Sequence, residues 1–249
     1  ILLRQVRTAA AEWRENGRPD FLLWPQERLT LVYAMQDRLH PELSEVERDF
    51  IEPEQVRLYR ELGFEVHYIE GLTVDVTAAE DLPETTHQRR YAIGERLNDI
   101  GELRRGVGVK DGLPDMLWLP VEGSNGIYKF EFGEFEVKPF FIAKYLTTLT
   151  QFQTFLESDW DNPRWWGGFP EKYQPQNFRN LTNGNANAPR DTISWYQSVA
   201  FGRWMAAQFE GLALEHPSGK VLRVGENAEI RLPTEWEWQW AAMNGKDKR

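Results

Sequence analysis

Near residue 110 the chain changes its hydrophobic period, and that change limits it to a helical segment followed by a mixed one. Over residues 1–60 apolar positions such as Leu29, Leu31, Val32, Tyr33 and Met35 alternate with Arg, Glu and Gln, at roughly the 3.6-residue repeat of amphipathic helices. After Pro114 the texture becomes short and aromatic: Met116-Leu117-Trp118-Leu119, Tyr128-Lys129-Phe130-Glu131-Phe132, Phe135-Glu136-Val137-Lys138 and Phe140-Phe141-Ile142, set around glycines. Alternating apolar and polar residues between glycines are the pattern of antiparallel hairpins. The reading is therefore a small helical connector segment over 1–110 and an α+β domain over 111–249.

Punctuation within each segment places the elements. Ser44 and Glu47 have the spacing of a capping box, so a helix is predicted to start there. Glu52-Pro53-Glu54 restarts the chain as a helix running to Gly63, because proline at a first helical position loses no hydrogen bond. Residues 64–69 alternate either as a strand or as an extended linker, and 86–97 read as an amphipathic helix. The glycine-rich run over 106–112 lacks the spacing of either nucleotide-binding fingerprint and reads as a flexible linker. Further helices are predicted at 148–155, capped by Thr148, and at 194–209, capped by Ser194, the latter with Val199, Trp204 and Met205 on one side. Residues 177–189, rich in Asn, Gly and Pro, read as a loop lying over a surface.

Composition removes whole classes of chemistry. The sequence has no cysteine, so these residues can form no disulfide, thiolate nucleophile or zinc-thiolate site. A formal charge of −10 opposes a phosphate backbone, and nucleic acid is not an expected partner. No apolar run approaches the roughly 20 residues of a membrane span, so no membrane partner is expected and a cytoplasmic location is. The four histidines, His40, His67, His87 and His216, never fall at the spacing by which a helix or turn grips one metal ion. Glu235 and Glu237 are two apart on a predicted helix and diverge, so they cannot share one substrate proton.

Three segments carry a family resemblance. They are Phe141-Ile142-Ala143-Lys144-Tyr145-Leu146-Thr147-Thr148-Leu149-Thr150-Gln151-Phe152, then Thr192-Ile193-Ser194-Trp195-Tyr196 through Gly202-Arg203-Trp204, and Arg231-Leu232-Pro233-Thr234-Glu235-Trp236-Glu237-Trp238-Gln239-Trp240-Ala241-Ala242. In that order they resemble the formylglycine-generating-enzyme (sulfatase-modifying factor) family, which implies a C-type-lectin-like α+β fold. In the third segment Pro233 is expected to fix the helix start, Thr234 to cap it, and Trp236 and Trp240 to share a face. Before residue 110, Phe21-Leu22-Leu23-Trp24 through Arg48-Asp49-Phe50-Ile51, then Arg89-Arg90 and Gly106-Val107-Gly108, resemble the connector joining such domains to NACHT-like signalling ATPases. No Walker-type loop occurs, so an ATPase or effector domain is expected upstream.

Departures from the family pattern redirect the functional expectation. Family members that oxidise a sulfatase cysteine use paired cysteines for copper and substrate, and this sequence cannot build a copper site that way. The second segment reads Phe201-Gly202-Arg203-Trp204 where the family has an aromatic-Cys-x-Trp pattern. The family's C-terminal third, implied to hold calcium ligands and the binding face, is not in these residues, and the missing initiating Met also suggests a fragment. The expected function is a non-catalytic recognition module for a protein or small-molecule ligand. It could be a retroelement-diversified variable protein or the sensor end of a signalling ATPase. The alternative is a metal-dependent oxidase or sulfoxide synthase of the same family.

Binding shows most in the segment 159–170, where Trp160, Arg164, Trp165 and Trp166 lie between Asp, Gly and Pro residues. Trp and Arg dominate interface hot spots. The competing account is internal packing, which the family resemblance also implies for a Trp-Trp pair here.

Overall fold

The computed structural model describes residues 1–81, 83–130, 133–174 and 184–243. The chain divides into two compact units, Ile1–Arg104 and Arg105–Arg249. Among the described residues no helix is long and apolar enough to cross a membrane.

The first unit runs α1 (Leu2–Glu15), α2 (Gln26–Leu39), α3 (Glu45–Phe50), α4 (Glu54–Glu61), β1 (Phe64–Glu70), β2 (Thr73–Ala78) and α5 (His87–Ile100). The predicted capping box forms at α3, where the Ser44 hydroxyl accepts from the Glu47 amide and the Glu47 carboxylate accepts from the Ser44 amide. One core gathers Val6, Ala10 and Trp13 of α1, Leu29, Val32 and Met35 of α2, and Phe50. These positions recur at three and four residues because that spacing lines one helix face. Phe50 meets the rings of Trp13 and Trp24 at 5.8 and 5.3 Å. A second core joins Val56 and Tyr59 of α4, Val74 and Val76 of β2, and Ile93 and Leu97 of α5. Residues 64–69 do form a strand, because β1 finds an antiparallel partner in β2 across the turn at Gly71. Arg96 of α5 donates to Glu54 and Glu27, while Gln26 and Glu54 exchange hydrogen bonds with each other's amides. That arrangement ties the starts of α2 and α4 to α5.

The second unit continues β3 (Val109–Lys110), β4 (Leu113–Pro114), β5 (Trp118–Val121), β6 (Ile127–Phe130), β7 (Gly133–Glu136), β8 (Phe140–Ala143), α6 (Leu149–Ser158), α7 (Pro163–Trp166), α8 (Trp195–Gln208), β9 (Ala213–Glu215), β10 (Val221–Arg223) and α9 (Glu235–Ala242). β5 pairs antiparallel with β8, and the β6–β7 hairpin lies between them in the chain. The fold class is α+β, as the sequence implies. The strand expected over 128–132 forms as far as Phe130, and Glu131 and Phe132 lie outside the described residues. Likewise 177–183 of the expected surface loop lie outside them, while Ala186 and Ala188 accept hydrogen bonds from the amides of Thr150 and Leu149.

Two expectations are corrected. The run 106–112 is not a flexible linker: it lies in the unit Arg105–Arg249 and is held by side chains of that unit. The Gly106 amide donates to Asp115 at 2.7 Å, and the buried Gln151 amide group donates to the Gly106 and Asp115 carbonyls at 3.2 and 2.6 Å. The Thr148 hydroxyl donates to the Val107 carbonyl at 2.9 Å. Polar side chains thus hold a backbone that composition alone marks as loose. On α8, Val199 is only half-buried, and the buried residues are Gln197, Ala200, Phe201, Gly202, Trp204 and Met205.

Gly106 has φ +91°, and a Cβ added there would lie 2.7 Å from the Leu117 Cβ. Gly106→Ala is therefore expected to destabilise the chain by about 2 kcal/mol through backbone strain and crowding, read as a lower denaturant midpoint. Gln151→Leu is expected to cost at least as much, about 2–3 kcal/mol, because it leaves buried carbonyls and the Thr148 amide without partners.

Candidate binding surface

Residues 159–169 are held together by hydrogen bonds of their own. Asn162 caps α7 by accepting from the Arg164 amide at 3.1 Å, and Pro163 occupies the first helical position. The Trp165 and Trp166 indole N–H groups donate to the carbonyls of Asp159 and Trp160, each at 2.7 Å. With their polar atoms satisfied, both rings are buried, at 3 % and 0 % exposure. They pack on Phe152, Phe155, Ala200, Phe201, Trp204 and Met205. Of the four residues expected to bind ligand, Trp165 and Trp166 are thus core residues and present no ring face to a ligand. Trp160 is half-buried, and Arg164 is exposed with its guanidinium 4.1 Å over the Trp165 ring.

The same packing presents a different set of rings. Arg203 of α8 donates to the carbonyls of Trp165 and Gly167 at 2.8 and 2.9 Å, satisfying the open end of α7. Its guanidinium also lies 4.6 Å over the Phe169 ring. Phe169 meets Tyr196 at 5.0 Å and Trp195 at 5.8 Å, and Trp195 meets Tyr196 at 5.2 Å. Tyr196 stacks on Tyr173 at 4.1 Å, and the Lys172 amino group sits 4.8 Å over Tyr173. Phe169, Trp195 and Tyr196 thus form a triangle of rings from which Tyr173 extends, with Arg203 over Phe169 and Lys172 over Tyr173. Trp195 is the most open of them, at 61 % exposure.

Sequence reading singled out Trp195 only as part of a helix start. The signal was available, since on a helical wheel position 195 falls opposite the buried side chains at 197, 200, 201, 204 and 205, while the buried residue on its own side is Gly202, which has no side chain to pack. A tryptophan there has to face outward. The Ser194 cap fixes it: the Ser194 hydroxyl accepts from the Gln197 amide at 3.2 Å and the Gln197 side chain accepts from the Ser194 amide at 2.7 Å.

Ser194, Glu237 and His216 serve the fold, while Glu235 is exposed at the start of α9. Ser194 is a cap. Thr234 caps α9 in a capping box with Glu237, and Glu237 also takes both guanidinium nitrogens of Arg231 at 2.8 and 2.9 Å. Trp236 stacks on Phe135 at 4.0 Å, and the Trp240 N–H donates to the Glu122 carbonyl at 2.7 Å. The RLPTE segment thereby pins α9 to the β6–β7 hairpin. His216 is buried, and its Nδ1 accepts from the Ser218 amide at 3.1 Å, which leaves the Nε2 proton to the Val121 carbonyl at 3.1 Å. Neither ring nitrogen is open to a ligand. Among the described residues no group of three or more His, Cys, Asp or Glu side chains could hold a metal ion.

The Arg231 guanidinium holds the Glu237 carboxyl below the usual carboxylate range, with the Thr234 amide and hydroxyl acting in the same direction. A carboxyl depressed on folding contributes stability above its unfolded value and loses it as pH falls through the depressed one. Glu237→Gln is accordingly expected to flatten the acid side of the stability profile below about pH 4.5, the unperturbed value, in denaturant titrations at stepped pH.

Residues 120–249, more than half of the chain, match the family model of the sulfatase-modifying factor enzyme 1-like domain. No curated protein and no solved structure matches the chain.

Proposed function

The chain belongs to the sulfatase-modifying factor enzyme 1-like family, and from that premise we propose that it is a non-catalytic recognition module, its lectin-like scaffold presenting a face to a protein or small-molecule ligand. The observation that carries this reading is Trp195, mostly in solvent, seated against Phe169 and Tyr196 on a helix capped by Ser194. Aromatic residues exposed on a fixed scaffold supply large contact area at little conformational cost. The absence of cysteine supports the same reading, because the paired-thiolate chemistry implied for oxidising members has no atoms here. The helical first unit would tether the module to an upstream ATPase or effector domain.

Two settings suit such a module. A template repeat and a reverse-transcriptase gene beside the coding sequence would assign it to retroelement-diversified variable proteins. A Walker-type segment in the same reading frame would assign it to the sensor end of a signalling ATPase.

The rival is a metal-dependent oxidase or sulfoxide synthase. Elemental analysis of the purified full chain is expected to find copper and iron far below one ion per chain, and stoichiometric amounts of either would overturn the proposal. Trp195→Ala is expected to change stability by less than about 0.5 kcal/mol, as exposed substitutions do, while abolishing signals on a mixed peptide and glycan array.

A further inference from the structure

The small sheet of the first unit has an open edge, a feature that does not rest on the recognition face proposed for the second unit. The Ala79 amide donates to the Gly63 carbonyl at 2.9 Å, which makes those two a hydrogen-bonded pair. Antiparallel ladders alternate bonded and non-bonded pairs, so in the observed register Glu65–Thr77 and His67–Asp75 are bonded pairs too. Phe64, Val66 and Tyr68 therefore turn their N–H and C=O groups away from β2. The far edge of β2 is filled, since the Val74 amide donates to the Leu103 carbonyl at 2.9 Å. The outer edge of β1 has no backbone partner among the described residues.

Packing is incomplete along the same edge. Opposed residues of β1 and β2 share a face of the sheet, and on the inner face Val74 and Val76 of β2 are 0 % and 2 % exposed. Their neighbours on β1 are less covered: Phe64 and Val66 are half-buried, and Tyr68 is 49 % exposed. A strand laid beside β1 would bond the free backbone groups and cover these three side chains together. Charge selects the strand. Residues 62–84 hold six carboxylates and neither Lys nor Arg, and Glu65 and Glu70 of β1 are exposed. A second copy of β1 would set carboxylates near carboxylates, which disfavours pairing. Lys or Arg in the same places is favourable, in keeping with the net charge of −10. We propose that the outer edge of β1 takes up, as a third strand, an extended basic segment of a partner protein, with apolar residues on its inward face and Lys or Arg on its outward one.

Fluorescence anisotropy of the full chain with a labelled Lys-Val repeat peptide tests this, against Glu-Val and Lys-Gly repeats of equal length. Lys-Val is expected to bind, Glu-Val to be silent and Lys-Gly to bind much more weakly. Amide hydrogen exchange gives a second readout: the amides of Phe64, Val66 and Tyr68 are expected to exchange fast in the free chain and to slow when Lys-Val is added. Val66→Pro removes an outward N–H without breaking the ladder to β2 and is expected to abolish binding. Glu65→Lys combined with Glu70→Lys, both at exposed positions, is expected to weaken binding about tenfold, the scale of two surface ion pairs. That variant decides the question if Val66→Pro fails to fold. No binding of Lys-Val, equal binding of Glu-Val or Lys-Gly, or unchanged binding in the charge-reversed variant would each overturn the proposal. Binding that leaves the three amides fast would overturn it as well. So would slow exchange at those amides in dimers of the free chain, which would give the edge to a second copy.

Discussion

The second unit depends on one buried amide. Gln151, with no solvent exposure, accepts from the Thr148 amide and donates to the carbonyls of Gly106 and Asp115. A buried polar group without partners costs a sizeable part of a domain's net stability, so these contacts have to form together. Doing so fixes the start of α6 against the chain's first turn in the unit. Phe152 and Phe155, which follow on α6, are then held where the α8 residues Phe201 and Trp204 can close on them.

From that core the surface is determined. α8 buries Gln197, Ala200, Phe201, Trp204 and Met205, and the helical period turns Trp195 outward. α7 buries Trp165 and Trp166, and Arg203 seals its open end. The contact of Phe169 with Trp195 and Tyr196 therefore follows from how α7 and α8 pack and satisfy their ends. An aromatic side chain presented on a capped, packed helix suits recognition, because it has little entropy to lose on binding.

Elsewhere in the unit, the family's most specific segment serves the fold. Arg231 and Glu237 join the residues before α9 to its first turn, and Trp236 and Trp240 seat the helix on aromatic side chains of β6 and β7. A bidentate arginine–carboxylate pair and a capping box are strong local constraints. They explain why a sequence of this type can keep its scaffold without the cysteines that oxidation would need.

Local chemistry determined much of this protein from the sequence alone. The caps at Ser44, Thr148, Ser194 and Thr234, the change of period near residue 110 and the membership of residues 120–249 were legible because each depends on near neighbours in the chain. Tertiary structure decided what depends on distant partners. Whether Gly106 is loose or locked rests on Asp115 and Gln151, nine and forty-five residues away. Whether residues 64–69 form a strand rests on Thr73–Ala78 pairing with them. Which tryptophans face solvent rests on what packs over them: Trp165 and Trp166 join the core with Phe155, Phe201 and Trp204, whereas Trp195 stays out. Composition marks an aromatic-rich segment, but only packing against residues distant in the chain chooses which of its rings stay exposed.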